Sequence, residues 1–564
     1  MSIYDKSSLV LIPSGTKTSK VYSQKPTNGD GDFDFTRSTA ATRVNADGNI
    51  EKETSNLLLQ SNSFDTTWTL TTAAVTSGQN GYDGSSDAWL LTKSGTQGRV
   101  QQTISASGVQ SFSVYAKKNA SDFLRVFVNG SNSSIYFDLT DGSIQSSSSI
   151  IEAKTTNLGG GWYRCEVSFN GSTTKINVYP SESGSTAGTT GSIYIQDAQL
   201  NQGLIAQEVI TTTTTALYGG ITDNVPRLDY TDSSCPALKL EPQRTNIIIN
   251  SEYLGGSDWI KSGNGTGSVP VITSNAAISP EGVQNATRVD LDINGGTTSG
   301  DWSWVYQEFT GTGNDETFSM YIKAVDASNV GKVISFGSIS FQNQSLTEDW
   351  VRIDSTSSAA IGGYGNGFRL RATAATSDTA SFYVFGIQHE QNASYATSYI
   401  PTYGTSVTRN ADIFKVNNIG TNNLITNDAF TLFIDIASVQ DSENSFRDLV
   451  AIFGSKNFRL ETRTSGQVRS QQIGMVTSGD NFNSVTIGTY NIRKFAFTFT
   501  TTQCKMYVDG ALHSTYNGVY THDFNVLSVR NSSSLGAELK IEYRKVMLFP
   551  TALTEQEAIT LTTI

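Results

Sequence analysis

The chain has 564 residues, a formal net charge of −12 and a pI near 4.9. That length exceeds one hydrophobic core and, at roughly 150 residues per domain, predicts three or four; the acidic field, uninterrupted by any Lys/Arg cluster, disfavours nucleic-acid partners. Helix formers are sparse beside Thr, Ser, Gly, Val, Ile, Tyr and Phe, so the expected fold class is all-β, a tandem array of antiparallel sandwiches.

Residues 1–54 read as an extended N-terminal arm. Ser8–Pro13 and Phe33–Arg37 have strand character, and Asn45-Ala-Asp-Gly-Asn49 is a turn between Arg43-Val44 and Ile50-Glu51. So little apolar content cannot bury a core alone, so the arm is expected to dock on the first domain or on a neighbouring subunit. Its apolar run, Leu9 to Ile12, is too short for a signal-peptide core. No run reaches the roughly 20 apolar residues of a membrane span, so no membrane insertion is expected. Cys165, Cys235 and Cys504 are widely spaced, which fits small semi-buried hydrophobes in a chain folded in a reducing compartment.

Two related units follow, residues 55–221 and 246–411. Ser55-Asn-Leu-Leu-Leu-Gln-Ser61 is echoed by Thr245-Asn-Ile-Ile-Ile-Asn-Ser251, and Gln110–Lys117 by Glu316–Lys323. Trp162-Tyr-Arg164 is echoed by Trp350-Val-Arg352, and Ile193–Leu200 by Phe382–His389. Gln110–Lys117 and its counterpart alternate like strands with one buried face. Trp68, Trp259, Trp162 and Trp350 recur at these landmarks and are expected in the shared core. Thr211–Thr215 is a low-complexity strand or linker. Residues 222–245, punctuated by Pro236 and Pro242, form a connector expected to pack near residues 33–51 of the arm.

The opening Asn56–Trp68 and the closing Tyr194–Leu200 resemble the first and last strands of carbohydrate-binding jelly rolls of the kind appended to polysaccharide-degrading enzymes. Residues 412–564 form a third unit, with alternating strands at Ala429–Ile436 and Lys494–Thr500 and a strand entering the Asp509-Gly510 turn. A last strand from Leu539 leads to a short helix with Thr554 as N-cap. This order is similar to that of laminin-G-like, concanavalin A-like sandwiches.

Four runs together, Thr36–Glu51, Pro226–Tyr230, Leu240–Asn246 and Ser398–Asp412, resemble those of tailed-bacteriophage virion proteins, tail or head fibres and minor structural proteins. The arm motif there runs straight into P-R-L-D-Y, whereas here residues 52–224 intervene, so the first jelly roll reads as an insertion or a duplication. The resemblance implies an arm attached to other virion proteins and a homo-oligomer, trimeric by analogy with fibres. It also implies assembly in host cytoplasm and release by lysis, which agrees with the missing signal peptide.

No residues are expected to be catalytic. Only His389, His513 and His522 offer imidazoles, and no nucleophile elbow, zinc-hydrolase helix or phosphate loop occurs. A glycosidase needs paired carboxylates, and Glu542 and Asp435 each stand alone. Saccharide binding needs flat aromatic faces beside polar groups. Trp302, Trp304 and Tyr306 alternate on one strand and share a face, and Trp89 is a candidate in the first unit; the same alternation also fits core packing. Structural calcium could sit on Asp30, Asp32 and Asp34 or on Asp290 and Asp292, although no ligand spacing singles out a loop. The expected function is a non-enzymatic fibre-type adhesin for host-surface glycans. The alternatives are a capsid or tail decoration protein and a polysaccharide depolymerase.

Overall fold

The computed structural model describes residues 2–338, 340–358, 362–441, 447–463, 467–473, 493–529 and 539–563. Strands take 54% of the chain and helix 2%, which makes it all-β, a set of tandem antiparallel sandwiches. No described helix is long and apolar enough to cross a membrane.

The C-terminal sandwich is assembled from three separate stretches of chain. One of its sheets runs, in spatial order, Arg227–Asp229, Ala237–Leu240, Leu539–Phe549, Ala429–Asp441, Arg493–Thr500, Gln503–Val508 and Ala511–Asn517, with Leu9–Leu11 also paired to Leu539–Phe549. The other begins with Thr16–Lys17, Lys20–Val21 and Phe33–Thr36 and continues through Ile413–Asn417, Val526–Val529, Arg447–Phe453, Asn457–Arg463 and Gln467–Ile473. Leu9, Leu11, Phe33 and Phe35 from the arm, and Leu228, Leu238 and Leu240 from the connector, share one core with Phe430, Phe497 and Leu548. Phe33 stacks on Phe414 with ring centroids 4.4 Å apart. The arm's strands therefore dock on the C-terminal sandwich rather than on the first jelly roll. Its few apolar residues alternate, and they complete sheet edges that would otherwise be left with unpaired backbone. Thr554 caps the last helix, Glu555–Thr562, in a full capping box with Glu557.

Each jelly roll leaves this sandwich and returns to it through a stalk of two antiparallel strands, separate in the first unit and continuous with a seven-stranded sheet in the second. Glu53–Asn56 pairs antiparallel with Leu217–Gly220, and Arg244–Asn246 pairs with Val407–Arg409 in the same register. Above each stalk the repeated motif works as a clasp. Asn56 donates to the carbonyls of Ala198 and Ile210 and accepts from the N–H groups of Leu58 and Leu200. Asn246 does the same with Ile387, Ile400, Ile248 and His389. Ser61 and Thr212 exchange hydrogen bonds, as do Ser251 and Thr402. The threonine run is thus no strand, since Thr212 is a buried half of the clasp. Trp68 and Trp259 donate their indole N–H to the equivalent carbonyls of Gln60 and Asn250. Trp162 is also buried, but Trp350 is only half-buried, its N–H on the Ile278 carbonyl.

The central strand Val109–Lys118 is buried on both faces except at its end. The segment following the last strand folds back across its outer face: Ser111 donates to the Gly203 carbonyl at 2.9 Å and Arg164 to the Gln207 carbonyl. That return explains why the sequence alternation, which suggested one solvated face, is overridden.

Connector and arm meet at the base. Arg37 donates to the carbonyls of Thr222 (2.8 Å) and Val225 (3.0 Å), and Tyr230 N–H donates to the Val44 carbonyl at 3.1 Å. Here Arg37, Arg227, Arg409, Glu241 and Asp412, all essentially buried, form one ionic node. Arg37 meets Asp412 at 3.2 Å, Arg227 bridges Asp412 and Glu241, and Arg409 meets Glu241 at 2.6 Å. Burial would push both carboxyls up, but the surrounding guanidinium groups hold Asp412 and Glu241 below the usual range.

Candidate functional site

The second jelly roll presents a five-stranded sheet in the order Ile260–Asn264, Trp302–Thr310, Gly363–Arg371, Val333–Gly337, Phe341–Ser345. On Trp302–Thr310 the alternation resolves cleanly: Ser303, Val305 and Gln307 point inward and are buried, while Trp302, Trp304 and Tyr306 are half-exposed on the outer face. The inward choice is enforced locally, because the Gln307 side chain accepts from the Ile249 N–H in the clasp strand at 3.3 Å. Core packing does not claim the three aromatics.

Trp304 and Tyr306 stack at 3.9 Å with planes 23° apart, and Phe341 meets Trp304 edge-on at 5.9 Å. The Arg369 guanidinium lies 3.7 Å from the Phe341 ring centroid and 5.4 Å from that of Trp304. Cross-strand register sets this cluster, with Trp304 opposite Arg369, Tyr306 opposite Gly367 and Trp302 opposite Arg371. Gly365 makes room for the rings: a Cβ there would sit 2.6 Å from Tyr306 Cδ2 and 2.8 Å from Trp304 Cη2. Burial, reinforced by Arg371, lowers the Arg369 pKa to about 10. The indole N–H groups of Trp302 and Trp304 and the Arg369 Nε are turned away from solvent and meet no acceptor among the described residues. The surface offers stacked rings and a guanidinium, with Asn343 and Ser262 in register on the flanking strands.

Sequence reasoning missed Arg369, Phe341 and Gly365. The glycine alternation Gly363-Tyr-Gly-Asn-Gly367 was a usable signal, since glycines on every second strand residue clear one face.

Trp89 is a correction. It is 8% exposed, packs edge-on against Phe64 at 6.3 Å and donates its N–H to the Asn62 carbonyl at 2.9 Å. It alternates with Leu91 on the inward face of its strand, opposite Ile195, and so joins the core of the first jelly roll and offers no face to a ligand.

Other polar clusters are internally engaged. A cleft of about 450 Å³ between the jelly rolls is lined by Glu152, Lys154, Arg164, Glu166 and Gln284. There Glu166 pairs with Arg164 at 3.2 Å and Glu152 accepts from Asn275 of the second unit. Of the calcium candidates, Asp32 accepts from Ser23, Asp34 pairs with Lys20, Asp290 pairs with Arg288, and Asp292 accepts from the Asn294 N–H. Among the described residues no group of three or more His, Cys, Asp or Glu is placed to hold a metal ion.

No protein-family model and no curated protein matches the chain. Among solved structures it is similar to botulinum neurotoxin type C, whose cell entry depends on interaction with two ganglioside molecules. That match has 11% identity and a TM-score of 0.23, and covers 27% of this chain and 40% of that one. It is also similar to the CBM40 of the Ruminococcus gnavus IT-sialidase bound to α2,3-sialyllactose, at 15% identity and a TM-score of 0.21, covering 24% of this chain and 83% of that one. The tandem CBM22-1–CBM22-2 domain of Paenibacillus barcinonensis Xyn10C matches over 59% of this chain and 96% of its own, at 13% identity and a TM-score of 0.18.

Proposed function

We propose that this chain is a non-enzymatic, fibre-type adhesin of a tailed-phage virion that binds host-surface glycans through the Trp302–Trp304–Tyr306 face of its second jelly roll. One observation carries the reading: three aromatic side chains on one strand face solvent, over glycines, beside a guanidinium, on a rigid sheet. Burying such rings in a core would stabilise the fold, so leaving them half-exposed fits a surface kept for a partner. Saccharide rings present axial C–H groups to aromatic faces and hydroxyls to Arg369, Asn343 and Ser262. The virion origin rests on the arm and seam motifs. With the arm's strands inside the C-terminal sandwich, attachment to other virion proteins falls to its exposed turns, such as Asn28–Asp30. Several copies in one particle would raise a weak single-site affinity.

A host-polysaccharide array probed with the purified chain tests this reading. Binding without release of fragments is expected. Silence across the array with intact particle assembly would instead indicate a decoration protein, and fragment release would indicate a depolymerase.

A further inference from the structure

The clasps fix a correspondence between the two jelly rolls that sequence alignment alone does not reach. Gln102 accepts from the Leu59 N–H at 2.7 Å, as Gln307 accepts from the Ile249 N–H, so the strand Arg99–Ala106 is the counterpart of Trp302–Thr310. The sheet it belongs to runs Ile144–Ser148, Ser133–Asp138, Phe123–Gly130, Thr173–Ser181, Arg99–Ala106, Thr69–Thr71, in the order of the aromatic sheet of the second unit with one more strand. Its outer face therefore occupies the place of the Trp304 face.

That face is furnished in the same way with the residue types exchanged. Tyr136 and Tyr179 both lie opposite Arg125 in register, and Val100 opposite Val178 brings Arg99 beside Tyr179. The result is a row, Tyr136–Arg125–Tyr179–Arg99, across four adjacent strands. The Arg125 guanidinium lies 5.4 Å from the Tyr136 ring centroid, 5.2 Å from Tyr179 and 4.9 Å from Phe127, and that of Arg99 lies 5.6 Å from Tyr179. Tyr179 is buried beneath them as a floor, while Arg99, Arg125, Phe127 and Tyr136 are half-exposed.

The charge on this face has no internal explanation. Arg99 donates to Gln101 Oε1 and the Gln97 carbonyl, and Arg125 to Ser134 Oγ, all neutral acceptors. Neither enters an ion pair among the described residues. Lys175, opposite Asn129 and Thr103, adds a third cation, and the carboxylate of Asp138 stands at the margin, where it accepts from the Thr140 N–H. A chain of net charge −12 that holds planar guanidinium groups over aromatic rings without carboxylate partners presents the geometry that receives a carboxylate or sulfate.

We infer that the Arg99–Arg125–Tyr136–Tyr179 face of the first jelly roll is a second saccharide site, selective for acidic sugars. The saccharide ring lies against Tyr136 and Phe127 while its anionic group takes the forks of Arg125 and Arg99. The inference leans on the reading of the Trp304 face through their equivalent position, and single-face variants separate the two.

The test uses the full chain and polygalacturonate, with the fully methyl-esterified polymer as the neutral control, read by affinity electrophoresis at low and high salt. Heparin and polysialic acid serve as further acidic probes. Retardation by at least one acidic polymer, absent with the neutral control and weakened by salt, is expected. Arg99→Gln with Arg125→Gln should reduce it at least tenfold with an unchanged melting temperature, while Trp304→Ala should leave it within twofold. If the double variant loses stability, Tyr136→Ala, which removes a half-exposed ring, decides by the same criterion. Equal retardation by neutral and acidic polymers, no retardation by any of the three acidic polymers, or full retention in the stable variant overturns the assignment. Loss in Trp304→Ala alone would place the only site on the second unit.

Discussion

Trp304 touches Tyr306, Phe341 and Arg369 on a face that the chain itself leaves open. Removing a central aromatic anchor of this kind from a binding surface costs about 2 kcal/mol of affinity or more, roughly thirtyfold. Gly365→Ala is a subtler probe. Its new Cβ would press on both rings, so it should lower glycan affinity about tenfold while shifting the melting temperature little, as glycan titration paired with calorimetry would measure. At this scale the sequence was half legible. Period-two alternation placed Trp302, Trp304 and Tyr306 on one face, but the intervening Ser303 and Gln307 are polar, so nothing local marked their side as the inside. Gln307 goes in because it serves a backbone N–H in a distant strand. Trp89 misled for the complementary reason, since nothing local showed that its side of the strand, shared with Leu91, is the inside.

The elements repeat because their connections repeat. Asn246 satisfies two carbonyls and two N–H groups at once, and Asn246→Ala would leave them buried without partners, at about 1–3 kcal/mol for each group that finds no substitute. Calorimetry should show the second jelly roll melting earlier while the first, clasped by Asn56, keeps its transition. The stalk region also titrates. Lys52 pairs with Glu252 at 2.8 Å and with Glu281 at 2.7 Å. Glu281 is raised to about 7 by burial, which outweighs Lys52 and is reinforced by Glu252, and Glu53 is raised to about 7 by burial and by Asp223. Between the ordinary carboxyl value near 4.5 and about pH 7, the native chain holds protons that the unfolded chain has lost, so these two groups lower stability as pH rises through that window. Glu281→Gln should therefore flatten the fall in melting temperature between pH 5 and pH 8, as thermal scans across that range would record. The landmark strands were legible as a repeat. The clasp was not, because its partners sit at opposite ends of each unit.

The whole molecule is one discontinuous sandwich carrying two inserted jelly rolls. The recognised motif runs, Thr36–Glu51, Pro226–Tyr230, Leu240–Asn246 and Ser398–Asp412, supply Arg37, Arg227, Glu241, Arg409 and Asp412 to the buried node where the insertions begin and end. Their resemblance to virion-protein motifs could be read from sequence. Their convergence could not, since it depends on pairing Leu9–Leu11 and Ala237–Leu240 with a strand some 300 to 540 residues onward. Breaking a buried ion network by removing one charge costs about 3–5 kcal/mol. Asp412→Asn strips Arg37 and Arg227 of their shared carboxylate, so it should destabilise the C-terminal sandwich by about that amount and expose the arm to proteolysis, readable by denaturant titration and limited digestion. The node joins the chain segments at the base of both stalks. The most direct measurement of the binding claim is a titration of wild type and Trp304→Ala against the glycan giving the strongest array signal, with melting curves for both. Affinity falling roughly thirtyfold with superimposable melting curves is the predicted result; unchanged affinity, or a loss accompanied by a collapse in melting temperature, would contradict it.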